Sequence, residues 1–309
     1  MVSVGDRVLQ GKDGIYGYAI CTKYVSTSKI DVVFENTNGT RLGCNIGDFK
    51  RGALKDYFYP SMYGVGYLGE LYAYKLTKNF DKSIQSRWND MIRRVACTDV
   101  NVDDSRWSKC HLVTCSDDFK NFSKFVDWVY SCDNFLDLLE FSKITGVAYC
   151  LDKDILVKNN RHYSAETCSL VPSPINNLID FSNTRRGNYP LGVKLHSDCV
   201  AVYVMFGRDI LGLPRYAKTF NFKKCNRNPN KDYYIALADK FYSHYGLSVE
   251  QYQKCAIGMA FEDFCIEKKK YMKDVANLYK NYELNGKIYN LLSNEAYNSI
   301  VNWEFDISD

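Results

Sequence analysis

The sequence predicts an α+β protein: a small N-terminal β module, a ββα core preceded by bracing helices, and a C-terminal segment of strands with a long helix. Alternating apolar residues beside an Asn-Gly dipeptide are typical of a β hairpin near the N-terminus. Apolar residues three and four apart after residue 81 predict helices. Residues 151–178 show the order strand, turn, strand and helix start. We place the domains at residues 1–58, 59–181 and 182–309.

Length and charge indicate a folded protein with a weakly basic balance. The 309 residues suffice for two or three small domains. The formal net charge of +4 permits nucleic-acid binding without arguing for it, because clustering of charge on one face matters more than the total. No apolar run approaches the roughly 18 residues that a membrane span needs, so we expect no membrane association.

The twelve cysteines predict a reduced, cytoplasmic protein, since the chain has no N-terminal signal peptide and is too long for a small disulfide scaffold. No two cysteines have Cys-x2-Cys spacing, which argues against a structural zinc site. Cys110, His111 and Cys115 form the only tight group of Cys and His, and metal binding there stays open. We expect no organic cofactor.

The N-terminal module is predicted to be barrel-like. Its clearest strand is Ile30–Phe34, and Asn38-Gly39 suits the hairpin turn that leads into a return strand at Arg41-Leu42. The basic stretch 48–55 is interpreted either as a phosphate contact or, preferably, as a solvated turn.

Two helices are predicted before the core. In the first, an apolar face is formed by Ile84, Trp88, Met91, Ile92 and Val95, and Arg93 and Arg94 lie on other faces as candidate phosphate contacts. The second begins at Asp117-Asp118, whose charges stabilise a helix N-terminus. Its apolar stripe predicts that it packs against the segment that follows.

The segment 151–178 has the order of a one-metal nuclease site. In such a site a carboxylate at a strand end holds the cation, a neighbouring base activates a water molecule, and a helix residue completes the coordination. Asp152 ends the first apolar run and is the candidate metal ligand, because hard cations prefer carboxylate oxygens. Lys153 occupies the position of the base.

Leu151–Ile155 reads L-D-K-D-I, and Tyr163–Cys168 reads Y-S-A-E-T-C. These stretches resemble the L-D-H/R-I-D and Y-x-P-E-N-C parts of the HNH endonuclease core of tailed phages, whose members are often described as homing-endonuclease-like. Upstream, two runs resemble that family's W-x2-M-x-R-R and C-x3-F-x2-F-x2-F-x2-W segments: Trp88, Met91, Arg93 and Arg94, and then Cys115, Phe119, Phe122, Phe125 and Trp128. Downstream, Arg185–Val193 is similar to the opening strand of the three-strand-plus-helix DNA-binding domain of plant ethylene-response type. The resemblance covers most of residues 60–281 with loose motifs.

The resemblance implies duplex DNA as a partner, Mg²⁺ or another divalent cation as a cofactor, and the cytoplasm of a bacterial host as the location. It implies that Asp152 binds the cation and that Asn176 or Asn177 supplies the ligand from the helix. The alternative for both amides is an exposed helix surface. Candidate contacts to DNA are Arg93, Arg94, Lys158, Arg161, Arg185, Arg186 and Lys194.

The catalytic residues of the family are replaced. Lys153 stands where the family has its general base His, and Thr167 stands where it has the Asn that holds that base. An ordinary lysine keeps its proton at neutral pH, so Lys153 is expected to bind a phosphate or to pair with a neighbouring aspartate. His162 is either a substitute base or a turn histidine.

Downstream, the resemblance implies a three-stranded sheet and a long helix. A strand is predicted at 200–206, a third strand within 210–220, the long helix over 257–279 and a short helix over 287–301.

Three functions compete. The favoured one is a DNA-binding protein on an HNH-like scaffold with weakened or no catalysis, because both replaced residues serve the base. The second is a metal-dependent DNA endonuclease. The third is a phage factor that binds a host protein, for which any DNA affinity would show almost no salt dependence. The sequence determines neither the recognised DNA sequence nor the oligomeric state.

Overall fold

The computed structural model describes residues 2–76, 79–97, 113–179, 193–196, 199–202, 220–221, 269 and 272–304. The chain divides into two compact units, Met1–Phe135 with Val157–Cys168 and Leu136–Leu156 with Ser169–Asp309. Helices and strands occur in both units, which confirms the mixed α and β architecture. The division into three domains stays a prediction. Within the described ranges, no helix has the length and apolar character for crossing a membrane.

The first unit opens with a four-stranded antiparallel sheet in the order β1-β2-β3-β4. In β3, the apolar residues Ile30, Val32 and Phe34 alternate with more exposed ones and are fully buried. Asn38 has a φ of 56°, which an Asn adopts readily in a turn. The predicted strand, turn and return are thus confirmed, and the barrel-like form stays a prediction. The strands are β1 (Arg7–Gln10), β2 (Gly17–Ser26), β3 (Lys29–Phe34) and β4 (Thr40–Asn45).

A buried amide fastens β1 to the segment after the sheet. Helix α1 (Ile46–Lys50) begins at its cap, Asn45. The Gln10 side chain, which is fully buried, donates a hydrogen bond to the Phe49 carbonyl oxygen at 3.0 Å and accepts one from the Leu54 N–H at 2.9 Å. These bonds satisfy two backbone groups inside the module.

Helices α2 (Glu70–Ala73) and α3 (Lys82–Ala96) follow. Four residues of the predicted apolar face of α3 are buried: Ile84, Trp88, Met91 and Ile92. Trp88 is fully buried, and its indole N–H donates a hydrogen bond to the Phe119 carbonyl oxygen at 2.7 Å. The helix therefore packs as the spacing predicts.

The prediction of a single helix from Asp117 onward is wrong in one respect, because the structure has two helices there. Asn121 separates α4 (Asp117–Lys120) from α5 (Phe122–Ser131) with extended backbone angles and forms a β-bridge with Tyr67. The Tyr67 N–H donates to the Lys120 carbonyl oxygen, and the Tyr67 carbonyl oxygen accepts from the Phe122 N–H. These hydrogen bonds to the distant residue Tyr67 replace intrahelical hydrogen bonds at the break between α4 and α5.

The second unit contains the predicted ββα order. Strand β6 (Tyr149–Asp152) pairs antiparallel with β8 (Ser169–Pro172), and α7 (Ser173–Ile179) follows β8 directly. Helix α6 (Phe135–Thr145) precedes them. Between the two strands the chain belongs to the first unit, where β7 (His162–Tyr163) pairs parallel with β5 (Thr114–Cys115). The assignment of this order to an HNH core stays a prediction.

The C-terminal part has a small three-stranded sheet in the order β11-β10-β9, as expected. The predicted third strand is confirmed only at the end of its range, and most of the long helix lies outside the described residues. The helix predicted over 287–301 is wrong at its start, because β13 occupies 287–289 after an Asn285-Gly286 turn. The elements are β9 (Val193–His196), β10 (Cys199–Val202), β11 (Phe220–Asn221), α8 (residues 272–280), β12 (Tyr282–Leu284), β13 (Lys287–Tyr289) and α9 (Asn294–Val301).

The hairpin β12–β13 is joined to α6 by side chains. The Lys287 ammonium lies 2.6 Å from the Glu140 carboxylate, and the Tyr289 hydroxyl donates to the same carboxylate at 3.0 Å. The Asn290 N–H donates to Asp137 Oδ2 at 2.8 Å. The C-terminal hairpin is therefore an integral part of the unit that contains the ββα segment.

Candidate functional site

The candidate site is built on Asp152, the last residue of β6. Its side chain is only 8% exposed. Oδ1 accepts hydrogen bonds from the N–H groups of Asp154 at 2.8 Å and Ile155 at 2.7 Å. A carboxylate that accepts from the backbone two and three residues onward holds the chain in a tight turn, which fixes Asp152 at the strand end.

Burial raises the pKa of Asp152 above its ordinary value. The hydrogen bonds from the N–H groups of Ile155 and Asp154 oppose this shift, the nearby Asp154 charge adds to it, and the Lys153 charge lowers the pKa. The fold thus keeps a carboxylate where its ionised form is disfavoured, as is common at functional sites.

We expect the Asp152→Asn variant to melt at a higher temperature than the parent protein at pH 7 in EDTA. Because the pKa is raised on folding, the native state binds more protons than the unfolded chain just above pH 3.8, the ordinary value. The contribution of Asp152 to stability therefore falls as the pH rises through the raised pKa. An Asn Oδ1 still accepts both backbone hydrogen bonds, so the difference in melting temperature should vanish below pH 3.8.

Thermal unfolding monitored between pH 3 and pH 8 checks this expectation. Asp13→Asn, at an exposed turn residue, is the matched control and should show no such pH-dependent gain. A lower melting temperature for Asp152→Asn at pH 7 would contradict the electrostatic account of this carboxylate.

Lys153 forms an ion pair with the neighbouring aspartate, Asp154. Its ammonium nitrogen lies 2.8 Å from Oδ1 and 2.7 Å from Oδ2 of Asp154. The Lys153 side chain is 17% exposed and that of Asp154 is 41% exposed. Of the partners that the sequence left open for Lys153, the structure has Asp154. An ammonium group that donates to a carboxylate has no lone pair with which to accept a proton.

A residue that sequence reasoning missed lies directly opposite Asp152. Ser169, the first residue of β8, is the register partner of Asp152 and is 5% exposed. Its hydroxyl oxygen is buried and has no hydrogen-bond partner in the described part of the chain. The only indication of Ser169 in the sequence is a single hydroxyl residue at the start of an otherwise apolar run, which the structure shows to be a fully buried strand.

These two residues fit a divalent cation, which would be held by the Asp152 carboxylate and the Ser169 hydroxyl. Both offer oxygen ligands of the kind that hard cations prefer, and the Ser169 hydroxyl has no hydrogen-bond partner in the described residues. Across the described ranges, no three His, Cys, Asp or Glu side chains form a group that could enclose a metal. Mg²⁺ often has only one or two carboxylate ligands and completes its shell with water and phosphate.

The two amides predicted as helix-side ligands lie on α7. Asn176 is half-buried and Asn177 is exposed. The helix starts where the Ser173 N–H donates to the Ala148 carbonyl oxygen, at the end of the β6–β8 pair opposite to Asp152. Coordination by either amide stays a prediction.

His162 belongs to the first unit, whereas Asp152 and Lys153 belong to the second. Its Nδ1 lies 2.9 Å from the Thr114 hydroxyl oxygen across the β5–β7 pair. Its backbone N–H donates to Asn160 Oδ1 at 2.9 Å. The ring is therefore oriented by its neighbours, and its role as a substitute base stays a prediction.

Thr167, for which the sequence resemblance predicted the place of an Asn, stabilises a local turn. Its hydroxyl donates to the His162 carbonyl oxygen at 2.8 Å and accepts from the Ser164 N–H at 3.1 Å. Both bonds stabilise the chain after β7.

Four of the predicted DNA contacts lie in the first unit, and we refer to them together as the basic surface: Arg93, Arg94, Lys158 and Arg161. All four are exposed. Arg94 donates a hydrogen bond to the Tyr163 hydroxyl at 2.9 Å, which joins the end of α3 to β7, the strand that follows Arg161. Arg93 lies 3.1 Å from Asp90 on its own helix.

The remaining predicted contacts lie outside the described residues. This holds for Arg185 and Arg186, and for the side chain of Lys194, whose backbone is in β9. Cys110 and His111 are outside as well. Cys115 is described, and burial raises the pKa of its thiol to about 11, which disfavours the thiolate that a metal requires.

Comparisons with protein-family models, with curated proteins and with solved structures find no match.

Proposed function

We propose that this protein binds double-stranded DNA on a scaffold similar to that of the HNH endonucleases and that its hydrolytic activity is weak or lost. The proposal rests on the ion pair of Lys153 with Asp154. The residue in the position of the general base donates hydrogen bonds to a carboxylate at 2.7 and 2.8 Å instead of accepting a proton. Loss of a general base removes roughly 10²–10⁴-fold of the rate of a hydrolysis.

The basic surface supports DNA as the partner. Arginine guanidinium groups present several N–H donors in one plane, which suits contacts to phosphate oxygens. The hydrogen bond between Arg94 and Tyr163 ties together two segments that each carry cationic side chains. Phosphate contacts of this kind give affinity without sequence preference.

The test is a salt titration of the affinity for a random-sequence DNA duplex. We expect the logarithm of the association constant to fall linearly with the logarithm of the salt concentration. The double variant Arg93→Gln with Arg161→Gln should bind more weakly and reduce the slope by about two, roughly one for each phosphate that an arginine no longer neutralises. It leaves the Arg94–Tyr163 hydrogen bond intact.

Arg7→Gln is the matched control. Arg7 is also exposed, but it lies on β1 in an ion pair with Glu35. Its loss should leave both the affinity and the slope unchanged. An unaltered slope in the Arg93/Arg161 variant would remove the basic surface from the DNA interface.

A metal-dependent DNA endonuclease is the second candidate. The fit of Asp152 and Ser169 to a divalent cation favours it, because such a cation can polarise a phosphate and activate a water molecule. Metal-dependent cleavage by the unchanged protein, lost in Asp152→Asn, would select this candidate over the first.

A further inference from the structure

Two polar side chains face each other at the end of the β6–β8 pair where the connecting segment 153–168 begins and ends. Asp152 and Ser169 are directly opposite in the antiparallel register, so their side chains lie on the same side of the two strands. Cβ atoms of such partners are about 4.5–5.5 Å apart. Both side chains are more than nine-tenths buried, with 8% and 5% exposed.

The Ser169 hydroxyl is an exception to the rule that buried polar groups are hydrogen-bonded. Its oxygen has no partner in the described part of the chain. An unsatisfied buried hydroxyl destabilises the fold, and neither a cap nor a turn accounts for it here. Its position opposite a carboxylate indicates a ligand that both groups contact.

The hydrogen bonds of Asp152 and of its neighbour Lys153 indicate the charge that a ligand of this site would carry. Asp152 accepts two backbone N–H hydrogen bonds, both at Oδ1. The nearest ammonium group in the sequence, that of Lys153, donates to Asp154. Within the described part of the chain no hydrogen bond reaches the other oxygen, Oδ2, so the Asp152 carboxylate can offer Oδ2 and its negative charge to a cation beside the unpaired hydroxyl.

We propose that Asp152 Oδ2 and Ser169 Oγ bind a hydrated divalent cation of the Mg²⁺ and Mn²⁺ class, with Ser169 as a ligand supplied by the second strand. Two protein oxygens leave several coordination positions for water, as is common for Mg²⁺. The site adds cation binding to the proposed DNA binding and needs no general base. Its test therefore needs no DNA, and its failure would leave the salt-dependent DNA affinity untouched.

The experiment is a calorimetric titration of Mn²⁺ into the full chain after treatment with EDTA. We expect one site for the parent protein and no site for Asp152→Asn. Ser169→Ala should bind Mn²⁺ at least about tenfold more weakly, because loss of even an outer-shell partner of a metal ligand costs roughly tenfold to a hundredfold in affinity. Ser142→Ala makes the same chemical change at a half-buried residue of α6 and should bind as the parent does.

Thermal unfolding gives the second readout. In EDTA, Ser169→Ala should melt no lower than the parent, because the variant removes a hydroxyl without a hydrogen bond. In Mn²⁺, the parent should gain more in melting temperature than the variant. No Mn²⁺ site in the parent, or the same Mn²⁺ affinity in Ser169→Ala, would overturn the proposal. The proposal would also be overturned if Ser169→Ala melted below the parent by the same amount in EDTA and in Mn²⁺.

Discussion

Lys153→His is expected to raise the rate of Mg²⁺-dependent cleavage of duplex DNA by about 10²–10⁴-fold over the parent protein, the usual contribution of a general base. An imidazole accepts a proton near neutral pH, which an ammonium group cannot do. The position also offers a partner that would orient the ring, because the Asp154 carboxylate already contacts the side chain of residue 153. Appearance of nicked plasmid in Mg²⁺ is the measurement.

Two variants separate the new base from simple loss of the lysine. Lys153→Gln removes the ammonium without adding a base and should cleave DNA no faster than the parent. Asp152→Asn added to Lys153→His should abolish the new cleavage, because it removes the charged carboxylate that would hold the cation. A folded Lys153→His protein that binds DNA but does not nick it would show that the absence of a base at position 153 does not explain weak or absent cleavage.

Trp88→Ala is expected to reduce the free energy of unfolding by about 3–5 kcal/mol, the range for removing a large buried side chain. Trp88 is fully buried, and its ring centroid lies 5.0 Å from that of Phe122. The substitution also removes the indole N–H that reaches the Phe119 carbonyl oxygen at 2.7 Å. Urea unfolding followed by circular dichroism measures the change.

Trp88→Phe keeps most of the apolar burial and loses the N–H, so we expect an intermediate loss of about 1–3 kcal/mol. Leu76→Ala, at a side chain that is 55% exposed, is the control and should change stability by no more than about 0.5 kcal/mol. Since α3 carries Arg93 and Arg94, Trp88→Ala should also weaken DNA binding near its lowered melting temperature. A loss below about 1 kcal/mol would contradict the packing described for α3.

Periodic apolar patterns are enough to predict the elements with one regular buried face. Strand β3 and helix α3 are predictable because their buried residues repeat at two and at three to four positions. The order of β6, β8 and α7 follows from apolar runs punctuated by Pro and Asn. In each case the information is local, so the sequence is sufficient.

The elements that sequence reasoning misses depend on partners far along the chain. Strand β1 gives no alternating apolar pattern, because its one fully buried residue is the polar Gln10, whose side chain bonds to residues 39 and 44 positions away. The break at Asn121 depends on a bridge to Tyr67. The contact of Lys287 with Glu140 spans 147 positions. Pattern reasoning does not detect such pairings.

For the candidate site, the sequence identifies Asp152 and leaves the partner of Lys153 open between a phosphate and an aspartate. In the structure, Asp154 is a partner of Lys153. The structure also places Ser169, whose buried hydroxyl has no partner in the described residues, directly opposite Asp152, and this follows only from the register of β6 with β8. A serine in an apolar run does not by itself predict a site, since the strand with which it pairs is unknown until the fold is known.

The most direct test of the central claim is one binding reaction with two readouts. The purified protein is mixed with a pool of DNA duplexes in Mg²⁺, in Mn²⁺ or in EDTA, and both the mobility shift and the cleavage of the DNA are scored over a range of salt concentrations. The account predicts a shift that weakens steeply with salt and little or no cleavage. Absence of a shift, or a shift that does not depend on salt, would contradict DNA binding and favour a protein partner. Efficient metal-dependent cleavage, lost in Asp152→Asn, would contradict the proposal that catalysis is weak or lost.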